Sequence, residues 1–209
     1  TTLANSINNL GEMAGSSVDL NGETRAVVFK NDISVNILPP GGAYGVAFGI
    51  SDNGDVVGDY KFCDICWRHA TLWRDGTATD LGAFKYESNA QAVNDSGLVV
   101  GYSESGNGES AFKSTGNGLI NLGSLSAFKS EATDVNNKGM IVGYARASSN
   151  IARAVIWNPG SINIQPLIGS YSRAIGVNDS DQVVGWINTP SGTKGFLLED
   201  GVMKDLNSL

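Results

Sequence analysis

The chain has 209 residues with a net charge of −7; only 17% of them are charged, and 27 are glycine. This composition is typical of a turn-rich globular protein rather than a disordered one. The sequence lacks a basic cluster and lacks an apolar run near the roughly 20 residues that cross a bilayer, so we predict no nucleic-acid partner and no membrane span. We expect a soluble protein and, because the chain opens at Thr1 without an initiator Met, the mature or excised part of a longer precursor.

The sequence contains five copies of one signature. In each copy an apolar residue and two turn-forming residues precede a glycine, and an apolar pair then precedes a final glycine. Asp181 replaces the first of these glycines in the fifth copy, and an alanine stands three residues before every copy. The copies are "INNLGEMAG" (7–15), "ISDNGDVVG" (50–58), "VNDSGLVVG" (93–101), "VNNKGMIVG" (135–143) and "VNDSDQVVG" (177–185).

The signature predicts a β-hairpin turn between two short strands. A type I turn closed by a left-handed residue favours Asn or Ser at its start and Gly at the position with positive φ, where Asp is also tolerated. About ten residues later a second apolar block follows, and then a short segment that ends in Leu. The blocks are "RAVVF", "HATLW", "SAFKS", "RAVIW" and "KGFLL", and the leucines are Leu38, Leu81, Leu122, Leu167 and Leu206.

Each unit of about 42 residues therefore predicts four short antiparallel strands, which is the pattern of a propeller blade. A β-solenoid would use a shorter period. We predict an all-β fold, a five-bladed β-propeller that forms a single domain over residues 1–209. The predicted blades span approximately 4–46, 47–89, 90–131, 132–173 and 174–209.

The chain ends predict how the ring closes. The residues that remain at the two termini together match the length of a connection between blades. We therefore expect the termini to lie in one such connection, with no strand shared between the N- and C-terminal segments. Closure would then depend on packing between blades rather than on a hydrogen-bonded overlap.

The repeat resembles the HAF-type bacterial extracellular repeat family, whose units look like "A-x-x-I-N-x-x-G-x-V-V-G" followed by "H-A-F-L-W" and "D-L-G". The segments "HATLW" (69–73) and "TDLGAF" (79–84) are the closest matches, and the resemblance spans nearly the whole chain. The resemblance implies a location outside the cytoplasm. It implies no particular chemistry.

Binding usually resides in variable loops on a rigid frame. Here the loops between second and third strands and the connections between blades differ from repeat to repeat, so we predict that they form the binding face. Aromatic rings on this face could stack on sugars, with Lys85, Glu87, Lys129 and Arg173 supplying hydrogen bonds. The alternative is that the rings wedge adjacent blades together. The candidate ligand-binding residues are Tyr44, Trp67, Phe84, Tyr86, Phe128 and Tyr171.

Cys63 and Cys66 form one C-x-x-C segment, for which we predict a loop disulfide in an oxidising compartment. Two sulfurs cannot build a four-sulfur zinc site. A c-type haem attachment motif would have His where this chain has Trp67. A thioredoxin-like redox site would need a βαβ unit around the cysteines, which this sequence does not predict. His69, the only histidine, is predicted to be structural at a strand edge. We predict no metal and no cofactor.

These features predict a non-enzymatic extracellular binding module, in the first place for carbohydrate, with a glycan or another surface protein as its partner. One alternative is a structural or assembly protein of the cell surface or of an extracellular filament, which would associate with copies of itself. A second alternative is a polysaccharide-active enzyme. Asp134 is then the best candidate acid, because it is the one carboxylate on a predicted inner strand.

Overall fold

The computed structural model describes residues 1–31, 33–37, 44–63, 65–106, 108–126, 129–148, 151–158, 164–166 and 171–206. Within these residues the chain forms five antiparallel sheets of four strands each. Every sheet comes from one continuous segment with its strands in sequence order, so no sheet combines strands from both ends of the chain. The all-β prediction is confirmed, and each repeat forms one sheet.

The strands are numbered in chain order. Sheet 1 contains β1 (Thr2–Ile7), β2 (Met13–Val18), β3 (Thr24–Lys30) and β4 (Ile33–Asn36). Sheet 2 contains β5 (Tyr44–Ile50), β6 (Val56–Lys61), β7 (His69–Arg74) and β8 (Thr77–Asp80). Sheet 3 contains β9 (Ser88–Val93), β10 (Val99–Ser105), β11 (Gly108–Ser114) and β12 (Ile120–Asn121). Sheet 4 contains β13 (Ser130–Val135), β14 (Ile141–Ser148), β15 (Ile151–Trp157) and β16 (Ile164–Pro166). Sheet 5 contains β17 (Ser172–Val177), β18 (Val183–Thr189), β19 (Gly192–Glu199) and β20 (Val202–Asp205).

The signature turn joins the first two strands of every sheet, as predicted. In sheet 3 the Gly97 N–H donates to the Asn94 carbonyl at 2.9 Å, and the Asn94 side chain accepts from the Leu98 N–H at 3.0 Å. Gly97 has φ of 77°, and Asp181, which replaces this glycine in the fifth copy, has φ of 61°. The fifth turn therefore keeps the left-handed backbone without glycine.

The final glycine of each signature lies against the first strand of its own sheet. In sheet 3 the first strand has a one-residue irregularity between Ala90 and Ala92, opposite Gly101. A Cβ built on Gly101 would lie 2.0 Å from the Asn89 carbonyl oxygen. The equivalent distances in the other four sheets are 1.9 to 2.1 Å. Because no side chain fits in this space, the repeat requires glycine at this position.

Consecutive sheets pack face to face through apolar side chains. Between sheets 2 and 3, for example, Val57 and Leu72 pack in one cluster with Val99 and Phe112, and all four are buried. Trp73 and Trp157 are also buried, each in a cluster that joins its sheet to the preceding one. The core is therefore a series of interfaces between sheets.

The signature turns of consecutive sheets are also joined by hydrogen bonds, which we call the turn ladder. In all four junctions the backbone N–H of the second turn residue donates to the side-chain oxygen of the equivalent residue in the next sheet. The four pairs are Asn9 to Asp52 (2.8 Å), Asp52 to Asp95 (2.8 Å), Asp95 to Asn137 (2.9 Å) and Asn137 to Asp179 (2.7 Å). Asn and Asp at this turn position therefore also connect one sheet to the next.

The first turn residue contributes a second rung to the ladder. The side-chain amides of Asn8, Asn94 and Asn136 donate to the carbonyl oxygens of Ser51, Asn136 and Asn178, at 3.0, 2.9 and 2.9 Å. Ser51 has no amide to donate, and in its junction Asn53 donates to the Asp95 carbonyl at 2.6 Å.

The predicted blade boundaries need a small correction. Strands β5, β9, β13 and β17 begin two or three residues before the alanines at which blades were predicted to start. The reason is that pairing of the first two strands extends upstream, with Tyr44 opposite Lys61 and Ser88 opposite Ser103. Tyr44 consequently lies in a strand and not in a connection.

The predicted closure of the ring is not confirmed. Within the described residues, the packing that joins consecutive sheets has no counterpart between sheets 5 and 1. Both sheets carry exposed apolar residues, among them Val184 and Ile7, and Ile7 lines a pocket of about 330 Å³ that the signature turns of all five sheets surround. No helix in the described part of the chain has the length and hydrophobicity needed to span a bilayer.

We expect Gly101→Ala to lower the free energy of unfolding by about 3 kcal/mol, because the new methyl group would force the first two strands apart. Urea unfolding monitored by circular dichroism measures this change. Gly106→Ala is the matched control in the same sheet, since a Cβ there meets no atom within 4 Å. Equal stability of the two variants would contradict the role assigned to the final glycine.

Candidate ligand-binding groove

The groove is built around the loop that follows strand β6. A disulfide joins Cys63 and Cys66, as the sequence predicted, and the Cys66 N–H donates to the Cys63 carbonyl at 3.1 Å. The cross-link closes a very short loop between β6 and β7. Trp67 follows directly and leads into β7 at His69.

Two aromatic rings beside the disulfide face solvent. Trp67 is 57% exposed and Tyr86 is 42% exposed, and their ring centroids lie 5.4 Å apart with the planes tilted by 50°. The Lys85 ammonium lies 4.7 Å from the Tyr86 ring. Large aromatic rings at the surface of a rigid sheet, paired in this way, are typical of ligand contacts rather than of core packing.

Arg68 provides the charged side chain of the groove, and three groups hold it in place. Its guanidinium donates to the Asp59 carboxylate at 3.2 Å and to the Glu87 carboxylate at 3.2 Å, and it lies 5.7 Å from the centre of the Tyr44 ring. Its conformation is thus fixed before any ligand arrives, which reduces the entropy lost on binding.

Asp59 lies beneath Arg68 and is almost completely buried between sheets 2 and 3. Burial raises the pKa of its carboxyl to about 6, against the lowering effect of Arg68 and of a 3.3 Å hydrogen bond from the Asn89 amide. Its Oδ2 accepts the bonds from Arg68 and Asn89, whereas its buried Oδ1 has no hydrogen-bond partner among the described residues. Asp59 therefore holds Arg68 in position, although burial makes the environment of the Asp59 carboxylate unfavourable.

These side chains line an open groove of about 510 Å³. The volume lies within the range of small-molecule sites. The lining residues are Tyr44, Lys61, Ile65, Cys66, Trp67, Arg68 and Glu87. The groove offers aromatic surface on one side and a guanidinium with a carboxylate on the other, so it can bind a ligand that has both apolar faces and hydroxyl groups.

Two of the six predicted aromatic residues, Tyr44 and Trp67, line the groove. A third, Tyr86, contacts the Trp67 ring beside it. Phe84 instead packs against the core between sheets 2 and 3, and its N–H donates to the Ser103 hydroxyl at 2.8 Å. Tyr171 lies in another part of the fold. Phe128 lies outside the described residues.

The predicted residues near sheets 4 and 5 contact other side chains of the protein, within sheet 5 for Tyr171 and between sheets for Arg173 and Lys129. Tyr171 stacks on Trp186 at 5.6 Å, and the Arg173 guanidinium lies 3.9 Å from the ring centre of the buried Tyr144. Lys129 forms an ion pair with Glu109. For Arg173 and Lys129 these contacts favour the alternative reading, in which the side chains hold neighbouring sheets together.

Sequence reasoning missed Arg68 and Asp59. The available signal was the repeat position directly after the final glycine, which holds Asp59 in one copy and Ser, Tyr or Trp in the others. A single acid at a position that is buried in the fold requires a nearby cation, and Arg68 is one of the two basic residues that flank the disulfide loop.

Two other residues of interest are engaged in local contacts. Asp134 is held by the backbone N–H groups of Val135 (2.9 Å) and Val177 (2.8 Å), and burial raises its pKa. Its carboxylate thus bridges sheets 4 and 5. The His69 Nδ1 lies 3.0 Å from both oxygens of Asp80 on the adjacent strand β8, which fits the predicted strand-edge role.

The chain is similar to three solved structures. The match to TolB from Acinetobacter baumannii covers 96% of this chain, with a TM-score of 0.65 and 13% identity. The chain matches the β-propeller domain of the trilobed protease from Pyrococcus furiosus, which has an open velcro topology, over 99% with a TM-score of 0.61 and 13% identity. It matches the acylaminoacyl peptidase from Pyrococcus horikoshii over 88% with a TM-score of 0.51 and 12% identity.

These similarities show the fold alone: the chain is all-β and similar to β-propeller structures. The chain spans 52% of TolB, 69% of the trilobed protease propeller and 30% of the peptidase. No protein-family model matches the sequence, and no curated protein matches it.

The raised pKa of Asp59 predicts that the difference in stability between the wild type and Asp59→Asn depends on pH. The folded wild type binds a proton more tightly than the unfolded chain, so this residue stabilises the fold at low pH, and that contribution is lost as the pH rises through about 6. We expect the stability of Asp59→Asn relative to the wild type to increase by about 2 kcal/mol between pH 4 and pH 7.5, because the carboxyl of the unfolded chain is already more than half ionised at pH 4. Urea unfolding at both pH values tests this, and an unchanged difference would contradict it.

Proposed function

We propose that this chain is a non-enzymatic, five-bladed propeller-type module that binds carbohydrate outside the cell, and that the Trp67–Arg68 groove is its binding site. The observation that carries the proposal is the pair of exposed rings, Trp67 and Tyr86, beside a guanidinium that two carboxylates hold in place. The groove therefore offers a partner for each of the two surfaces of a sugar, its apolar face and its hydroxyl groups.

A pyranose has an apolar C–H face and a rim of hydroxyl groups. The C–H face would pack on the Trp67 and Tyr86 rings, where burial of apolar area provides most of the affinity. The rim would hydrogen-bond with the Arg68 guanidinium and the Glu87 carboxylate, which give direction to the contact. Because the Asp59 and Glu87 carboxylates already pair with Arg68, its charge is not free to attract an anionic ligand, and we propose a neutral sugar.

Two observations support a location outside the cell. The Cys63–Cys66 disulfide is of a kind that persists in oxidising compartments. The repeat also resembles a family of extracellular repeats through "HATLW" and "TDLGAF". The disulfide has a direct part in the proposed site, because Cys66 lines the groove and immediately precedes Trp67.

Trp67→Ala should weaken binding to neutral glycans by about tenfold, which corresponds to about 1.4 kcal/mol, because it removes the exposed indole ring on which a sugar face would stack. A glycan array with the protein displayed multivalently identifies the ligand, and titration calorimetry then compares the variants. Trp186→Ala is the matched control, since Trp186 lies in sheet 5 and stacks on Tyr171. Absence of glycan binding by the wild type under multivalent display would contradict the proposal.

Loss of the disulfide should clearly weaken glycan binding, whereas it should lower the free energy of unfolding only slightly. Cross-linking residues three apart closes a very small loop, so its effect on the unfolded chain is small. Its local effect on Trp67 is large because the loop orients this ring. The Cys63→Ser, Cys66→Ser double variant is compared with the wild type by calorimetry and by thermal unfolding, and unchanged affinity would show that the loop has no part in binding.

A further inference from the structure

One repeat position holds a carboxylate in sheet 2 and a neutral residue in every other sheet. The position directly follows the final glycine of the signature and is filled by Ser16, Asp59, Tyr102, Tyr144 and Trp186. In sheets 1 and 4 the neutral residue is buried, as Asp59 is, so the repeat can fill this space without a charge. A buried carboxylate costs stability where neutral side chains fit. What Asp59 contacts, rather than packing, therefore explains the acid.

Asp59 contacts Arg68, the cation of the groove, and is the inner of its two anchors. Asp59 is 2% exposed, whereas the Glu87 side chain is 37% exposed. The guanidinium donates to both carboxylates at 3.2 Å. Water and salt weaken an ion pair at an exposed carboxylate, whereas a buried carboxylate is screened much less. Asp59 is therefore the anchor that decides where Arg68 lies.

The Asp59 carboxylate can take up a proton without losing a hydrogen bond. Arg68 and Asn89 both donate to its Oδ2, and its buried Oδ1 has no hydrogen-bond partner among the described residues. A proton on Oδ1 neutralises the carboxyl and leaves both bonds at Oδ2 in place. The bond from Arg68 then loses the attraction between opposite charges and becomes weaker.

The charged groups that act on the Asp59 carboxyl are few. Among the described residues they are the Arg68 guanidinium, which lowers its pKa, and the Glu87 carboxylate, which raises it. Tyr102 of β10 is also close, and burial raises its own pKa to about 12, so its phenol stays neutral. Desolvation outweighs Arg68 and raises the pKa of Asp59 to about 6. The uncharged neighbours on the paired and facing strands are Val46 of β5, Ala70 of β7 and Asn89 of β9.

We propose that the proton on Asp59 controls the groove: the ionised carboxylate holds Arg68 ready for a neutral sugar, and the protonated carboxyl releases Arg68 and weakens binding. The inference rests on the proposed function for its ligand, but the hold of Asp59 on Arg68 can be measured without one. A released Arg68 samples more rotamers, and ordering it again on binding costs conformational entropy. A bound sugar adds little desolvation to a carboxyl that is already 2% exposed, so binding favours the ionised form.

Affinity for neutral glycans should therefore fall as the pH drops through about 6. About nine-tenths of the Asp59 carboxyls are protonated at pH 5 and very few at pH 7.5, so the loss between these values is at most about tenfold. We expect a loss of about fivefold, because the protonated form keeps the stacking contacts with the rings. By linkage, binding at pH 6 should release protons, and the measured heat should then depend on the ionisation enthalpy of the buffer.

Two measurements on the whole chain test the control by Asp59. A printed array of uncharged glycans is probed with the multivalently displayed protein at pH 5 and pH 7.5, and calorimetry follows with a printed glycan that binds. NMR of the Arg68 Nε–Hε group, recorded without sugar, reports whether this side chain is ordered. We expect an ordered Arg68 and the stronger binding at pH 7.5, and a mobile Arg68 and the weaker binding at pH 5.

Two variants assign the pH dependence to one residue. Asp59→Asn keeps the shape of the side chain and cannot ionise, so it should bind weakly at both pH values, as the wild type does at pH 5. His69→Gln removes the only histidine, a residue type that titrates in the same range, and should keep the pH dependence of the wild type. The His69 imidazole contacts Asp80 of β8 rather than Arg68.

The outcomes separate this inference from the proposed function. Equal affinity at pH 5 and pH 7.5, or an Arg68 signal that does not change with pH, overturns the control by Asp59 and leaves the glycan site standing. A pH-dependent Arg68 signal in a protein that binds no printed glycan at either pH contradicts the proposed function and supports the hold of Asp59 on Arg68. A pH dependence that persists in Asp59→Asn and disappears in His69→Gln also overturns the control by Asp59.

Discussion

The arrangement of the five sheets depends on the hydrogen bond from each signature turn to the next. Its donor is a backbone N–H, so every residue type can supply it, but its acceptor is a side-chain oxygen two residues into the turn, so Asn or Asp is required at that position. The final glycine sets the second restraint, because it allows the second strand to approach the carbonyl of the first strand. Together these two restraints produce the same contact between consecutive sheets at all four junctions. Chemical variety is then confined to the loops.

The groove arises where one repeat departs from this uniformity. The position after the final glycine is filled by Ser16, Asp59, Tyr102, Tyr144 and Trp186. The buried Tyr144 has an apolar ring and an O–H that donates to Glu131 at 2.9 Å, so it fills the space between sheets. A carboxylate in the same space loses its hydration and needs a cation, which Arg68 supplies from the adjacent loop. Arg68 is consequently held at the surface beside Trp67, and the polar half of the groove exists because an acid is buried beneath it.

The hairpin turns, the strands and the disulfide could be predicted from the sequence, because each depends on residues close together in the chain. The turn ladder could not, since its partners are 42 or 43 residues apart and meet only when the sheets pack. The aromatic candidates show the same limit within one connection. Phe84 enters the core and Tyr86 lies at the surface against Trp67, although they are two residues apart, because an irregular segment has no periodicity from which to infer direction. The charged pairs of Arg68 were equally hidden, because Asp59 and Glu87 lie on different elements.

The proposed binding groove and the exposed apolar residues of the first and last sheets lie on different parts of the molecule. The groove is lined by sheet 2 and the connection to sheet 3, whereas the exposed apolar residues Ile7 and Val184 belong to sheets 1 and 5. A shallow groove that covers one sugar gives only weak affinity by itself, since the cost of association must be met by a small contact area. Several modules held together against a glycan-rich surface would make simultaneous contacts, and these would multiply that affinity without any new kind of contact.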